Sequence, residues 1–223
     1  MKLPDTLIPA AGPETGDYYC TWRAQAVVIH NDAYDSVLHR ARPADTMCEE
    51  LLFGDTVGIL NGIAPGIRSD LLVILDDGWD VPYGLKPSGK DGGNADYHCY
   101  GSMIADPERF PSCASLDPAG RLAYLEERIR ALGYRGMGLW IAVQNAGSES
   151  LEAKAAVPYW RERLKWCCQA GVRYLKCDWG AHSHDLTYRR MMSELAEETA
   201  PGLLLEHAYP PGCFDPRASE RGT

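Results

Sequence analysis

Apolar runs that alternate with segments of helical periodicity constrain the fold of this sequence more than any other feature. The candidate strands are the runs 18–22, 71–76, 137–143, 172–178 and 203–207. The candidate helices are the segments 46–53, 118–132, 158–170 and 186–199. Strands that alternate with helices form parallel sheets that are covered on both faces. The sequence therefore predicts an α/β protein built from repeated βα units.

Local signals predict where the longer helices begin and end. Asp117 is suited to an N-cap, and Pro118 after it is suited to the first helical position. Gly133 is placed to take the left-handed conformation that ends this helix. Pro158 predicts the start of the next helix, and Gly171 predicts its end.

Polar and aromatic side chains collect at the C-terminal ends of the predicted strands. These residues are Trp22, Asp76, Asp77, Trp79, Trp140, Lys176, Asp178, Trp179 and Glu206. In a parallel α/β barrel the C-terminal strand ends form one face, and the active site lies there. Carboxylates accept hydrogen bonds from sugar hydroxyls, and indole rings pack against the C–H faces of sugars. The pattern therefore predicts a carbohydrate site.

Each of these residues also has a structural explanation. Asp76 and Asp77 before a glycine are typical of a turn. Lys176 and Asp178 share one face of a strand, which is typical of a buried ion pair. A tryptophan at a strand end is most often part of the core. Only the placement of all these residues at successive strand ends favours a site.

Charge and composition exclude several classes of partner. The formal charge of -9 argues against binding to nucleic acid or to an anionic membrane. No apolar run reaches the roughly 18 residues of a membrane span. The N-terminal segment lacks the apolar core of a secretory signal, and the eight cysteines lack framework or CxxC spacing. We therefore expect a cytoplasmic protein with reduced thiols.

The strand-end sequences LLVILDDGW, GMGLWIAV, YLKCDWG and LLLEHA resemble the catalytic barrel of the α-galactosidase clan. They occur in this order and about one βα unit apart. The clan comprises retaining glycoside hydrolases, including α-galactosidases and α-N-acetylgalactosaminidases. The resemblance extends from Tyr18 to Glu206. It implies a (β/α)8 TIM-type barrel and a reaction that proceeds through a covalent glycosyl-enzyme without a cofactor.

The resemblance also implies roles for individual residues. Asp178 matches the nucleophile that attacks the anomeric carbon, and Lys176 matches the lysine beside it that contacts sugar hydroxyls. Asp76 and Asp77 match the pair at the far side of the sugar ring, and Glu206 matches the glutamate that reads the 2-position. The implied substrate-binding residues are Trp22, Asp76, Asp77, Trp140, Lys176 and Glu206.

The number of βα units is smaller than the resemblance requires. A closed barrel of this type has eight strands in about 250 residues, and about five units are recognisable here. The family's acid/base aspartate lies on a sixth strand, beyond Glu206. We therefore expect residues 1–223 to be the N-terminal part of a single catalytic barrel domain. The remaining strands and any C-terminal β-sandwich would lie outside this chain, which would be inactive alone.

The sequence departs from the family pattern at three strand ends. Ala142 stands near Trp140 where the family tends to have an acidic residue. Trp179-Gly180 replaces the Asn/Gly-Cys pair of the animal enzymes, so their disulfide is not implied. His207 stands where a tryptophan often follows the glutamate. These departures affect the identity of the sugar more than the chemistry.

Two other functions are compatible with the sequence. His182 and His184 lie in a His-x-His pair after the fourth major strand, which is a possible ligand set of a metal-dependent TIM-barrel hydrolase. Asp185, which follows them, is equally suited to cap the next helix. A non-catalytic carbohydrate-binding barrel would use the same tryptophans and carboxylates without chemistry.

Overall fold

The fold is built on one parallel sheet. The computed structural model of the chain describes residues 17–28, 43–83, 97–147 and 150–208. The strands are Tyr18–Cys20 (β1), Leu72–Leu75 (β2), Gly136–Ile141 (β3), Tyr174–Cys177 (β4) and Leu204–His207 (β5). They lie in the order β1-β2-β3-β4-β5, and each pairs in parallel with the next strand along the chain. The predicted succession of βα units is confirmed.

Helices occupy much of the sequence between the strands. In the described ranges, the α-helices are Trp22–Val28 (α1), Pro43–Thr46 (α2), Glu49–Phe53 (α3), Pro65–Arg68 (α4), Pro118–Ala131 (α5), Ala153–Ala170 (α6) and Leu186–Thr199 (α7). Short 3-10 helices span Ile59–Gly62, Tyr97–Cys99 and Pro111–Cys113. None of the described helices combines the length and the apolar character needed to cross a bilayer.

The two faces of the sheet bury different sets of side chains, because successive strand residues point in opposite directions. The larger hydrophobic core, between sheet and helices, includes Val73, Leu139 and Leu175. The opposite face has a small cluster, which contains Leu72, Ile74 and Tyr174 with Cys20 and Leu204 packed on it. Burial on both faces is typical of a parallel α/β sheet. Closure into an eight-stranded barrel remains a prediction, since the described residues form five strands.

Gly138 lets three strands approach closely on the sheet face that carries Ile74 and Tyr174. It pairs with Ile74 of β2 and with Tyr174 of β4. A Cβ atom at this position would lie 2.4 Å from Ile74 Cδ1 and 2.8 Å from Tyr174 Cβ. The absence of a side chain therefore leaves room for its two larger neighbours.

The helix-end predictions are confirmed at most positions. The Asp117 carboxylate accepts a hydrogen bond from the Gly120 amide at 2.7 Å, and α5 begins at Pro118. Gly133 and Gly171 have φ values of 94° and 78°, so both take the left-handed conformation expected after a helix.

The predicted start of α6 at Pro158 is wrong. The helix begins at Ala153, five residues earlier, and contains Pro158. Proline removes the hydrogen bond that its amide would donate to the carbonyl four residues before it, and its ring crowds that carbonyl. This carbonyl belongs to Lys154, in the first turn. Alanines in this turn favour helix formation and offset the loss.

The predicted first strand, 18–22, is too long. It ends at Cys20, and Trp22 begins α1. The Thr21 amide still donates to the Ile74 carbonyl at 3.1 Å, whereas the Thr21 carbonyl already accepts from the Gln25 amide at 2.9 Å. Thr21 therefore marks the change from sheet to helical hydrogen bonding.

The single helix predicted at 46–53 is also wrong, because the segment contains the end of α2 and the separate helix α3. The buried Arg109 guanidinium lies between these helices. Its Nη1 donates to the carbonyls of Ala44 at 3.2 Å and Met47 at 2.8 Å. These carbonyls are thereby satisfied outside a continuous helix.

Candidate active site

Three of the predicted charged side chains lie together at the C-terminal edge of the sheet. Asp76 directly follows β2, Lys176 lies in β4, and Asp178 directly follows β4. Lys176 Nζ is 2.9 Å from Asp76 Oδ2 and 3.9 Å from Asp178 Oδ2. One ammonium group therefore lies between two carboxylates, at the sheet edge where parallel barrels place their active sites.

Asp76 is the most buried member of this group, with 2% of its surface exposed. Its Oδ2 accepts hydrogen bonds from Lys176 Nζ at 2.9 Å and from Cys20 Sγ at 3.0 Å. Its Oδ1 accepts from the Asp77 amide at 2.9 Å. Both oxygens are thus occupied by protein donors. A sugar hydroxyl would have to share or displace one of them to bind Asp76 directly.

The carboxylates beside Lys176 favour its charged form. Burial of the side chain lowers its pKa, but the carboxylates of Asp76 and Asp178 oppose this effect and the net result is a raised pKa. The ammonium form is therefore present at neutral pH. Lys176 can neutralise the two carboxylates in part while it donates to a bound hydroxyl.

Asp178 is the more accessible carboxylate of the group, with 29% of its side chain exposed. Its Oδ2 accepts a hydrogen bond from Trp140 Nε1 at 2.9 Å. Its backbone amide donates to the Ile141 carbonyl at 3.0 Å, which extends the pairing of β3 and β4 by one residue. Both the main chain and the side chain of Asp178 are therefore fixed by β3.

Trp140 is packed behind Asp178 and is only 1% exposed. Its ring contacts Trp179, with ring centroids 5.3 Å apart, and Tyr100, with centroids 6.1 Å apart. Its carbonyl accepts a hydrogen bond from Trp79 Nε1 at 2.7 Å. Two of the tryptophans predicted at the strand ends therefore support Trp140.

Arg189 of α7 fixes the main chain around Asp178. Its Nη2 donates to the Asp178 carbonyl at 2.8 Å, and its Nη1 donates to the Cys177 carbonyl at 3.0 Å. Nη2 also donates to the Ala208 carbonyl after β5, at 3.1 Å. One buried guanidinium therefore joins the ends of β4 and β5.

Glu206 is aligned with Lys176 across β4 and β5. Its Oε2 accepts a hydrogen bond from the Tyr174 hydroxyl at 2.8 Å. Burial and this contact with Glu206 raise the pKa of Tyr174, so the phenol stays protonated and remains a donor. Glu206 thus lies at the same C-terminal edge of the sheet as Lys176, and its carboxylate is oriented by the Tyr174 hydroxyl of β4.

Asp77 and Trp22 lie at the same end of the sheet as Lys176 and Asp178, just after β2 and β1 respectively. Asp77 is buried, and its carbonyl accepts a hydrogen bond from Gln25 Nε2 at 3.0 Å. Trp22 is 41% exposed at the first residue of α1. Their roles in substrate binding stay predictions.

His182 of the His-x-His pair is held by structural contacts. His182 Nε2 lies 2.8 Å from Ser150 Oγ, His182 Nδ1 lies 3.3 Å from Asp185 Oδ2, and the ring stacks on Tyr188 at 4.1 Å. Asp185 also accepts from the Tyr188 amide and so caps α7 as expected. In the part of the chain that the structure describes, no group of three or more His, Cys, Asp or Glu side chains could hold a metal ion.

Sequence reasoning missed three residues that shape the site, namely Cys20, Tyr174 and Arg189. The period of two along a strand could have indicated Tyr174, which lies two residues before Lys176 and faces the same side. Cys20 is likewise the last residue of β1, level with Ile74. No local signal indicates Arg189, because the carbonyl groups that it binds belong to other elements.

None of the seven cysteines in the described ranges is in a disulfide, and Cys213 lies outside those ranges.

Comparison with known proteins gives matches at the level of structure only. No protein-family model and no curated protein matches the sequence. A candidate α-N-acetylgalactosaminidase from Bacillus halodurans C-125 matches with 18% identity and a TM-score of 0.42, over 70% of this chain and 46% of that one. A GH27 β-L-arabinopyranosidase from Geobacillus stearothermophilus, in complex with arabinose, matches with 16% identity and a TM-score of 0.39, over 63% and 41%. The chain thus spans less than half of either protein.

Proposed function

We propose that this chain is part of a retaining glycoside hydrolase for α-galactoside-like carbohydrates, with Asp178 as the nucleophile. The observation that supports this most directly is the contact of Lys176 with both Asp76 and Asp178 at the C-terminal edge of the sheet. The resemblance of the strand-end sequences to the α-galactosidase clan agrees with it. The proposal rests on these side chains and not on the two structural matches.

The proposed chemistry begins with attack by Asp178. One of its carboxylate oxygens forms a bond to the anomeric carbon while the bond from this carbon to the leaving group breaks. The bonding electron pair departs with the leaving group, and Asp178 becomes a glycosyl ester. Water then attacks the same carbon and gives a proton to a base, while the bond from this carbon to Asp178 breaks and its electron pair returns to the carboxylate. The Lys176 ammonium lies 3.9 Å from Asp178 Oδ2, beside the oxygen atoms of the proposed nucleophile.

The substrate-binding part of the proposal uses side chains with different chemical roles. Lys176 donates hydrogen bonds to hydroxyls, and Glu206 accepts them near the 2-position. Trp22 presents an exposed indole against which the C–H face of a sugar can pack. Asp77 is the proposed acceptor at the far side of the ring, and Asp76 acts at least in part by holding Lys176.

A retaining reaction also uses a second carboxyl group as acid and base, about 5–5.5 Å from the nucleophile. Asp76 is poorly suited to this task, because it is buried and both of its oxygens accept protein hydrogen bonds. A substrate with a very good leaving group needs no acid in the first step. Such a substrate isolates the role proposed for Asp178.

The first prediction is covalent labelling of Asp178. The chain would be incubated with a difluorinated α-galactoside that has a trinitrophenolate leaving group. Fluorine at C2 destabilises the cationic transition state of both steps, and the good leaving group keeps the first step measurable. We expect a stable adduct of the difluorinated sugar by mass spectrometry, located on the peptide that contains Asp178.

The matched variants are Asp178→Asn and Asp70→Asn. The first removes the nucleophilic oxygen charge at nearly constant volume, so the adduct should disappear. The second changes an exposed aspartate that precedes β2, at the opposite end of this strand from the proposed site, and labelling should persist. An adduct on another residue would remove Asp178 from its proposed role. Galactose binding without any adduct would instead favour the non-catalytic carbohydrate-binding protein.

A further inference from the structure

The geometry points to Trp140 as a positioning residue that selects which oxygen of Asp178 attacks the sugar. We infer that the Trp140 indole holds Oδ2 and leaves Oδ1 to form the bond to the anomeric carbon. This inference rests on the proposed function, and it replaces direct sugar contact as the main role of Trp140. It assigns a task to a residue for which the sequence indicated only an aromatic surface.

Hydrogen-bond donors are distributed unequally between the two oxygens of the Asp178 carboxylate. Trp140 Nε1 donates to Oδ2 at 2.9 Å, and Lys176 Nζ approaches the same oxygen at 3.9 Å. Within the described residues, no donor is found at hydrogen-bonding distance from Oδ1 of Asp178. The carboxylate is therefore anchored through one oxygen, while the other is available to react.

Asp178 and Trp140 differ in their accessibility to solvent. Asp178 exposes 29% of its side chain, whereas Trp140 is 1% exposed. An indole so deeply buried has no open ring face for a sugar. Its polar edge, the N–H group, is the part that meets the site, and this group is directed to the candidate nucleophile.

The Trp140 indole is held rigidly by its neighbours. Trp179 and Tyr100 pack against its ring, and Trp79 Nε1 donates to its backbone carbonyl at 2.7 Å. Trp140 also pairs with Lys176 in the β3–β4 register. The donor is thus attached to the same two strands that support Asp178. A carboxylate held this way keeps a defined approach angle to the anomeric carbon, which is a large part of catalytic efficiency.

The chemical type of the donor also fits the reaction. Asp178 is charged before attack and neutral once it has become an ester, so a cation hydrogen-bonded to Oδ2 would favour the unreacted state. The Lys176 ammonium stays 3.9 Å from this oxygen, and the indole makes the hydrogen bond. The indole N–H is uncharged and donor-only. When Oδ1 bonds to the sugar, Oδ2 becomes the ester carbonyl oxygen, which still accepts the hydrogen bond.

The contact can be tested without any sugar, by the indole N–H resonances of the ¹⁵N-labelled chain. Asp178→Asn removes the charge that Trp140 faces, so the Trp140 indole resonance should move upfield. The resonance of Trp160, whose Nε1 donates to the Tyr188 hydroxyl, should stay in place. An unchanged Trp140 resonance in Asp178→Asn would overturn the inference.

The role in catalysis is tested with Trp140→Phe, which removes the donor and keeps an aromatic ring. We expect the labelling rate by the difluorinated α-galactoside to fall about 10- to 100-fold. Galactose affinity should stay within about twofold, because Trp140 does not contact the sugar in this proposal. Trp160→Phe, a buried tryptophan of α6, is the matched control and should label at the parental rate.

The outcomes separate the inference from the proposed function. An equal labelling rate in Trp140→Phe and the parent would overturn the positioning role. A parallel loss of labelling rate and galactose affinity would also overturn it, because a collapsed site affects both. If the parent is not labelled although the indole resonance responds to Asp178→Asn, the glycosidase proposal fails and the contact itself is upheld.

Discussion

At the scale of single residues, His207 shows how a buried network fixes a protonation state. Arg189 Nη1 lies 3.2 Å from His207 Nδ1, and the guanidinium can only donate. Nδ1 must therefore accept, which leaves the proton on Nε2, 2.8 Å from Ser193 Oγ. Burial and the charge of Arg189 lower the pKa of His207 from 6.5 to about 4. The ring is thus neutral in the folded chain.

This state predicts a loss of stability in acid. The unfolded chain binds a proton at His207 below about pH 6.5, whereas the folded chain binds it only below about pH 4. The contribution of His207 to stability is therefore complete above pH 6.5 and is lost as the pH falls from 6.5 to 4. The contribution is at most about 3 kcal/mol. His207→Gln should flatten this part of the profile in urea unfolding at several pH values. The exposed His98→Gln should leave it unchanged, and an unaltered slope in His207→Gln would contradict the assignment.

At the scale of elements, β2, β3 and β4 approach one another closely at Gly138. Gly138→Ala should destabilise the fold by about 1–3 kcal/mol, because the new methyl group overlaps Ile74 and Tyr174. Gly62→Ala is the control, since nothing lies within 4 Å of an added Cβ there. The control should change unfolding free energy by less than about 0.5 kcal/mol. Equal midpoints of urea unfolding for the two variants would rule out this packing.

Two buried arginines, one on α7 and one in a turn before the 3-10 helix Pro111–Cys113, bind carbonyl groups of the main chain. Arg189 of α7 joins the ends of β4 and β5, and Arg109 fixes the main chain between α2 and α3. A guanidinium has five donors in a rigid plane, so one side chain can satisfy carbonyls of several segments. The irregular main chain at the sheet edge is thereby held without regular secondary structure.

At the scale of the whole molecule, sugar binding and folding should be linked, because the site is assembled from several strands. Saturating galactose should raise the melting temperature, by the ordinary linkage of a ligand that binds only the folded state. Glu206→Gln should reduce this rise, because the carboxylate acceptor is lost while the Tyr174 partner can remain. Glu197→Gln, at an exposed position of α7, should retain it. An undiminished rise in Glu206→Gln would exclude Glu206 from the sugar site.

The sequence by itself determined the order of strands and helices and which end of each strand bears polar residues. Period, proline, glycine and capping aspartate act within a few residues, so Asp117, Gly171 and Asp185 could be predicted from local chemistry. Only the tertiary structure decided which side chains meet. Asp76 and Lys176 are 100 positions apart, and Trp140 reaches Asp178 across 38. Such contacts depend on strand register and on the packing of helices against the sheet. Neither can be predicted from a short segment of the sequence.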